Sequence, residues 1–303
     1  MMKVTAVIST CKREPGRLRK AIESVLNQDY KNIELFVVDD SPSDYKLRDD
    51  VMRLCETYAN RGLIYIRNEK QMGACATRNR GAAAGTGEYL AFLDDDDEWL
   101  GPKITKQVAA LDKNPDYSMV YADFYLMNED DGSITKHSDA NTPYSGMIYD
   151  ELISCNFIGT TSIPLIRREA FESVGGFDVN QPAMQDWDLW IRISEKYKIY
   201  YLSECLANYY IHVGEHITKS PLKRRIGLER LNEKQRDYLE RHINAKSERY
   251  YYLMRLYIAE GNVKQAIKCY GVVVKNNPGS VIQNMKKLTA FGRLIIKPTK
   301  GWS

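Results

Sequence analysis

The 303-residue sequence predicts an α/β protein, with a mostly parallel sheet and flanking helices over residues 1–220 and a helical region over 221–303. Three observations predict it. Short β-rich runs alternate with amphipathic helical stretches through the first hundred residues, the pattern of a parallel sheet with crossover helices. Polar and acidic clusters directly follow the apolar runs, and ligands of open sheets sit beyond the carboxyl ends of the strands. After Pro221 the sequence turns helical and highly charged.

In chain order, strands are expected at residues 4–9, 33–38, 63–66 and 89–93. Between the first two, Leu18, Ala21, Ile22, Val25 and Leu26 recur at helical spacing. A second amphipathic helix is expected over 47–58 and a third, rich in small residues, over 74–84. From about residue 118 the pattern is mixed: a hairpin at Asp131-Gly132, a strand near 162–166 and a loop at Gly175-Gly176-Phe177-Asp178. A helix beginning near Trp187 carries Leu189, Ile191 and Ile193, and the run 199–211 reads as strand. In the C-terminal region Tyr250, Leu253, Tyr257, Gly261, Ala266, Tyr270 and Pro278 have the spacing of one tetratricopeptide-like hairpin. A single such repeat makes no solenoid, so it is expected to pack on the first domain.

Hydrophobic residues at 44% and charged residues at 27% are ordinary globular values and argue against disorder. The six cysteines are scattered, with no C-x-x-C pair, so a reduced, cytoplasmic compartment is expected. The opening apolar run ends by Ile8, too brief for the apolar region of a signal peptide. No stretch approaches the roughly 18 apolar residues of a membrane span. The net charge of +3 hides an asymmetry, because no Asp or Glu occurs from Gly261 onward while eight basic residues do. An acidic body thus carries a basic tail. Over 281–303, Val281, Ile282, Met285, Leu288, Phe291, Leu294, Ile295 and Ile296 add apolar area to that charge. This basic amphipathic tail is expected to meet an anionic membrane surface, giving a peripheral location on its cytoplasmic face. The competing reading is a basic helix packed on the acidic body.

The strongest chemical signal is Phe92-Leu93-Asp94-Asp95-Asp96-Asp97-Glu98-Trp99. Four adjacent carboxylates repel one another unless something positive sits among them, and a divalent cation bridging a diphosphate supplies that charge. A solvated acidic turn is the plain alternative. Asp39-Asp40-Ser41 again places carboxylates after an apolar run, where an Asp can accept a hydrogen bond from a nucleobase N–H; Asp-Asp-Ser-Pro is also an ordinary turn signal. Arg78 offers a guanidinium suited to phosphate or carboxylate, and surface pairing is its commoner fate. Thr10 with Lys12 and Arg13 makes a polar elbow after the first strand. In Gln185-Asp186-Trp187-Asp188-Leu189-Trp190, Asp186 suits a helix N-cap and equally a general base, with Trp187 and Trp190 as an apolar or sugar-stacking wall. His212 and His216 close the last strand run, where a lone His is more often structural.

In this order the segments resemble the family-2-type glycosyltransferases with the GT-A fold. The matching pieces are Val7-Ile8-Ser9-Thr10, Val37-Val38-Asp39-Asp40, Gly73 with Ala76, Arg78-Asn79 and Gly81, then Gly87-Glu88-Tyr89. The acidic run with Trp99, Gly175-Gly176-Phe177-Asp178 and Gln185-Asp186 complete the set, which spans residues 3 to about 216. The resemblance implies that Thr10 and Asp39 contact the nucleoside and that Arg78 lies near the diphosphate or the acidic run. It implies that Asp94 and Asp96 end a D-x-D motif, with Asp96 a ligand of Mn²⁺ or Mg²⁺ and Asp95 at the ribose. Asp186 aligns with the family's base, Gln185 and Trp187 lie on the acceptor side, and His212 falls where some relatives have a metal-contacting histidine. Two departures stand out: Cys11 replaces the usual Tyr or Phe, and Gln185 replaces the usual Glu.

The implied reaction is an inverting transfer of a sugar from a nucleotide diphosphate, UDP on family grounds, to a hydroxyl of a glycan or lipid-linked acceptor. No nucleic-acid partner is expected. A nucleotidyltransferase would carry a Gly-rich basic phosphate loop after the first strand, where this chain reads Thr10-Cys11-Lys12-Arg13-Glu14. A dehydrogenase is disfavoured because no strand is followed by G-x-G-x-x-G. A non-catalytic helical interaction protein rests on the C-terminal repeat alone.

Overall fold

The computed structural model describes residues 1–211 and 220–276. These fall into two compact units, one of residues 1–181 and 185–211, the other of 220–276 with 182–184. His212, His216 and the tail 281–303 lie outside the described residues.

The first unit begins with β1 (Val4–Thr10), α1 (Pro15–Leu26), β2 (Ile33–Asp39), α2 (Arg48–Glu56), β3 (Leu63–Arg67), α3 (Ala74–Ala84) and β4 (Tyr89–Asp94). Strands β3, β2, β1 and β4 lie side by side in that order, all parallel. Crossover helices cover such a sheet, which is why Val4, Ala6, Val7 and Ile8 are all fully buried and β1 shows no in–out alternation. In α1 the predicted stripe of Leu18, Ala21, Ile22 and Val25 is buried against the sheet. The Leu18, Ile22 and Val25 side chains each contribute about 1.5–3 kcal/mol of apolar burial. Helix α3 approaches closer than a side chain allows: a Cβ on Gly81 would stand 2.4 Å from Val7 Cγ1.

The unit continues through β5 (Glu98–Trp99), α4 (Lys103–Lys113), β6 (Tyr117–Asn128), β7 (Ile134–Lys136), α5 (Tyr149–Ser154), β8 (Leu165–Arg167), α6 (Arg168–Ser173), α7 (Gln185–Ser194) and β9 (Lys198–Ile211). Strand β8 joins β4 antiparallel, β6 follows it, and β9 runs parallel to β6. A mixed sheet of nine strands results, matching the predicted α/β class. The β6–β7 hairpin turns at Gly132 (φ 71°), as the Asp-Gly signal implied. Strand β8 starts at Leu165 rather than near 162, and Ser162 ahead of it bonds through its hydroxyl to the acidic run. The second unit holds α8 (Pro221–Lys234), α9 (Arg236–Arg241), α10 (Ile243–Ala259) and α11 (Val263–Asn276), with α10 packed on α8 and α11. No helix of the described residues is long and apolar enough to cross a membrane.

Candidate active site

Sheet register brings the sequence's polar strand ends together. Thr10 at the end of β1 lies beside Asp39 at the end of β2, and Ser9 lies beside Asp94 at the end of β4. Three parallel strands stop at one level, so their end residues share one rim.

The pair after β2 is turned inward. Asp39 is 0% exposed; its Oδ1 accepts from the Ser41 N–H at 2.8 Å and its Oδ2 from the Tyr65 hydroxyl at 2.7 Å. Burial, and then this hydrogen bond, push the Tyr65 phenol above its usual range. Asp40 accepts from Asn68 Nδ2 and from the Met72 and Gly73 N–H groups at 2.7–2.8 Å. The Gly73 contact falls at the N-terminus of α3, where backbone N–H groups lack helical acceptors and favour a carboxylate.

The run after β4 is held by arginines instead. Arg13 Nε reaches Asp95 Oδ1 at 2.9 Å, and its Nη2 lies 2.7 Å from the same oxygen and 2.8 Å from Asp96 Oδ2. Thr10 Oγ1 donates to Asp95 Oδ2 at 2.6 Å. Burial pushes the Asp95 carboxyl up to about 6 against the opposing pull of Arg13 and the Thr10 hydroxyl. Asp97 is buried, accepts from Ser162 Oγ at 2.5 Å and from the Tyr210 N–H at 3.2 Å, and burial with neighbouring Asp96 and Asp94 drives its carboxyl well upward. Arg78 Nη2 donates to Asp94 Oδ1 at 2.6 Å, an oxygen that also accepts from Thr161 Oγ1 at 3.0 Å. Arg78 reaches the run from α3, one of whose glycines lets the helix lie against the strands.

Asp186 stands across from this run, in the first turn of α7. Its Oδ1 accepts from the Trp187 N–H at 2.8 Å and its Oδ2 from Asn156 Nδ2 at 3.4 Å. Burial, with a smaller push from Asp94, raises its carboxyl to about 6. Arg78 joins the two sides, because its Nη1 donates to Gln185 Oε1 at 3.0 Å while Nη2 holds Asp94. Asp94, Arg78, Gln185 and Asp186 therefore form one connected arrangement drawn from β4, α3 and α7.

One expectation is corrected. Trp187 and Trp190 are 4% and 0% exposed, and the Trp187 indole N–H donates to Leu152 O at 2.6 Å, so neither ring forms an open sugar-stacking wall. Their spacing in α7 is that of a core stripe, and a core stripe is what they make. Thr10 and Asp95 bond to each other, which ties the β1 elbow to the acidic run. Sequence reading saw Arg13 only as part of a polar elbow and did not mark Asn156 or Thr161. Lys12 carries φ 52°, a left-handed backbone immediately before Arg13, and no residue type at that position announces it.

The carboxylate oxygens of the acidic run are hard donors. Among the described residues no three His, Cys, Asp or Glu side chains gather as a metal cage. A rim of Asp oxygens is nevertheless how proteins hold Mg²⁺ with substrate phosphates, through one or two carboxylates, and Mn²⁺ favours the same ligands.

Comparison with known proteins gives the family of the chain. The family model described as Glycosyl transferase family 2 matches residues 5–175, from β1 to just beyond α6. The amylovoran biosynthesis glycosyltransferase AmsB of Erwinia amylovora is 28% identical over 213 residues, 66% of this chain and 69% of that protein. The UDP-Glc:alpha-D-GlcNAc-diphosphoundecaprenol beta-1,3-glucosyltransferase WfaP of Escherichia coli is 28% identical over 199 residues, 64% of this chain and 72% of that protein. Among solved structures, S. aureus TarS 1-349 in complex with UDP-GlcNAc superposes with TM-score 0.61 at 16% identity, covering 94% of this chain and 92% of that one. A longer TarS chain is covered over 44% of its length. The mannosyltransferase PcManGT from Pyrobaculum calidifontis, in complex with GDP-Man and Mn²⁺, gives TM-score 0.63 at 16% identity, covering 96% and 81%. At such identities the structural likenesses speak for the GT-A fold alone. With more than half its length matched by the family model, this chain belongs to glycosyl transferase family 2.

Proposed function

We propose that this glycosyltransferase moves a sugar from a nucleotide diphosphate, a UDP-sugar, to a hydroxyl of a glycan or lipid-linked acceptor, with inversion at the anomeric carbon. The observation that carries this reading is the connection of Asp186 to the acidic run through Gln185, Arg78 and Asp94. A half-buried carboxylate with its pKa raised to about 6 is ionised at neutral pH yet basic enough to accept a hydroxyl proton. Asp186 is the base in this reading, and no covalent intermediate is needed. Arg78, Asp94 and Asp95 face the donor, Thr10 and Asp39 its nucleoside, and Gln185 the acceptor side. Asp39 is 0% exposed, so that role requires the side chains covering it, Tyr65 among them, to shift. Asp96, joined by His212, would hold Mn²⁺ or Mg²⁺, which when bound neutralises charge on the departing nucleoside diphosphate.

WfaP, by its name, acts on a GlcNAc-diphosphoundecaprenol, and polyprenol is a lipid. A lipid-linked acceptor suits the basic amphipathic tail 281–303, which in this reading brings residues 1–220, the catalytic domain, to the cytoplasmic face of an anionic membrane. Thermal-shift and hydrolysis measurements on a panel of nucleotide sugars, each with Mn²⁺ and Mg²⁺, test the donor assignment. A UDP-sugar should both stabilise the protein and be hydrolysed in a metal-dependent way; stabilisation by none of them would reject the proposal. NMR coupling constants of the transferred sugar then report inversion or retention.

A further inference from the structure

The loop between α5 and β8 reads Cys155-Asn156-Phe157-Ile158-Gly159-Thr160-Thr161-Ser162 and touches both sides of the site. At its far end Thr161 Oγ1 donates to Asp94 and Ser162 Oγ to Asp97. At its near end the Asn156 amide closes a short ring with Gly159: Oδ1 accepts from the Gly159 N–H at 3.3 Å and Nδ2 donates to Gly159 O at 3.1 Å. That pairing decides which way the amide faces, because only Nδ2 can donate to Gly159 O. The other N–H of Nδ2 is directed at Asp186 Oδ2, 3.4 Å away.

The loop is seated by packing. Gly159 has φ 94°, and a Cβ there would stand 2.7 Å from the Phe124 ring, so the chain lies directly on that ring. Phe124 stacks on His137 with centroids 4.4 Å apart, and His137 Nε2 lies 3.0 Å from Phe157 O, returning to the same loop. Phe157 and Ile158 are buried. Asp186 thus has one oxygen tied to its own helix backbone and the other to a loop anchored on β6 and on the acidic run.

We propose that Asn156 is a positioning residue for Asp186, fixing the plane of the base's carboxylate and favouring its ionised form through a side-chain N–H. This rests on the assignment of Asp186 as base. Each carboxylate oxygen spends one lone-pair direction on a fixed donor and keeps another for the acceptor hydroxyl. The charged groups facing Asp186 are Asp94 of β4 and Arg78 of α3, with Cys75 and Tyr209 as further titratable neighbours.

The test uses the full chain with ¹³C-labelled aspartate. The Asp186 signal is identified by its loss in Asp186→Asn, and its midpoint is followed by NMR in wild type, Asn156→Asp and Asn156→Ala. Asn156→Asp keeps the acceptor for the Gly159 N–H and replaces the donor to Asp186 by a second carboxyl. Its Asp186 midpoint should rise by about one unit or more, and that of Asn156→Ala by less. The acid limb of UDP-glucose hydrolysis with Mn²⁺ should move the same way, while calorimetric affinity for UDP with Mn²⁺ stays within about twofold. Should Asn156→Asp fail to fold, the Asn156→Ala shift alone decides. Midpoints equal to wild type in the folded variants overturn the proposal, whatever their stability, since a loop cap alone would change stability and leave Asp186 unmoved. If Asp186→Asn hydrolyses donor as fast as wild type, the base assignment itself fails, and the role of Asn156 with it.

Discussion

The acidic pair after β2 and the acidic run after β4 begin as the same sequence signal, carboxylates behind an apolar strand, and become different objects. Asp39 and Asp40 take their hydrogen bonds from the neutral donors of Ser41, Tyr65, Asn68, Met72 and Gly73, with the buried Arg48 Nε 4.0 Å from Asp39 Oδ2, and so hold a loop and a helix start in place. Asp94, Asp95 and Asp96 are matched by two guanidinium groups reaching in from α3 and the β1 elbow. Neutral hydrogen bonds settle a buried carboxylate locally, whereas direct pairing with guanidinium groups leaves charge that an incoming cation or diphosphate can rearrange. On the proposed function, the second arrangement is the one that exchanges its partners when donor and metal bind.

The sharpest division should come from the second object and its facing base. Asp96→Ala should abolish metal-dependent UDP binding, while Asp186→Asn keeps binding but lowers transfer by about 10²–10⁴-fold, the range of a lost general base. Calorimetry with UDP and Mn²⁺ on both variants checks this, and equal loss of binding would show that the two roles are not separate.

On the structural side, Asp40→Ala strands the donors of Asn68, Met72 and Gly73. Stability should fall by about 3 kcal/mol. A chemical-denaturation curve reads the loss; an unchanged midpoint would mean that water replaces the carboxylate and that the comparison is overdrawn.

A smaller effect concerns pH. Asp186 must be ionised to accept a proton, and its carboxyl is raised to about 6, so turnover at saturating donor should be full well above that pH and decline as pH falls through it. A flat rate profile from about pH 5 to 8 would remove Asp186 from the proton-transfer step.

The mildest perturbation is Tyr65→Phe, which removes the hydroxyl capping Asp39 Oδ2. If Asp39 reads the nucleobase once that cap yields, uridine affinity should rise a few-fold while stability drops by about 1 kcal/mol. Lower stability with no change in uridine binding would make Asp39 wholly structural.

Much of the frame was readable before any coordinates. The apolar runs that became β1 to β4, the stripe of α1 and the small-residue helix α3 follow from side-chain period and size, which act over neighbouring residues. Gln185-Asp186 at the start of α7 was legible for the same reason, while the aromatic positions beside it, read as a wall, obeyed the helical period and went to the core. Arg13 was visible as a residue but not as a partner of Asp95 and Asp96, because the pairing spans more than 80 residues and passes through the left-handed turn at Lys12. Asn156 and Thr161 carried no signal at all.

The sequence by itself determined which segments are strands and helices and where acidic residues cluster, since local periodicity and the chemistry at a strand's end are properties of contiguous residues. Only the tertiary structure decided which carboxylates are hydrogen-bonded directly by arginine and which by neutral donors alone, and that Asn156 faces Asp186. Those outcomes depend on sheet order and on a loop seated against Phe124, which bring distant donors within about 3 Å of an acceptor, and hydrogen bonding is too short-ranged to be foreseen without that proximity.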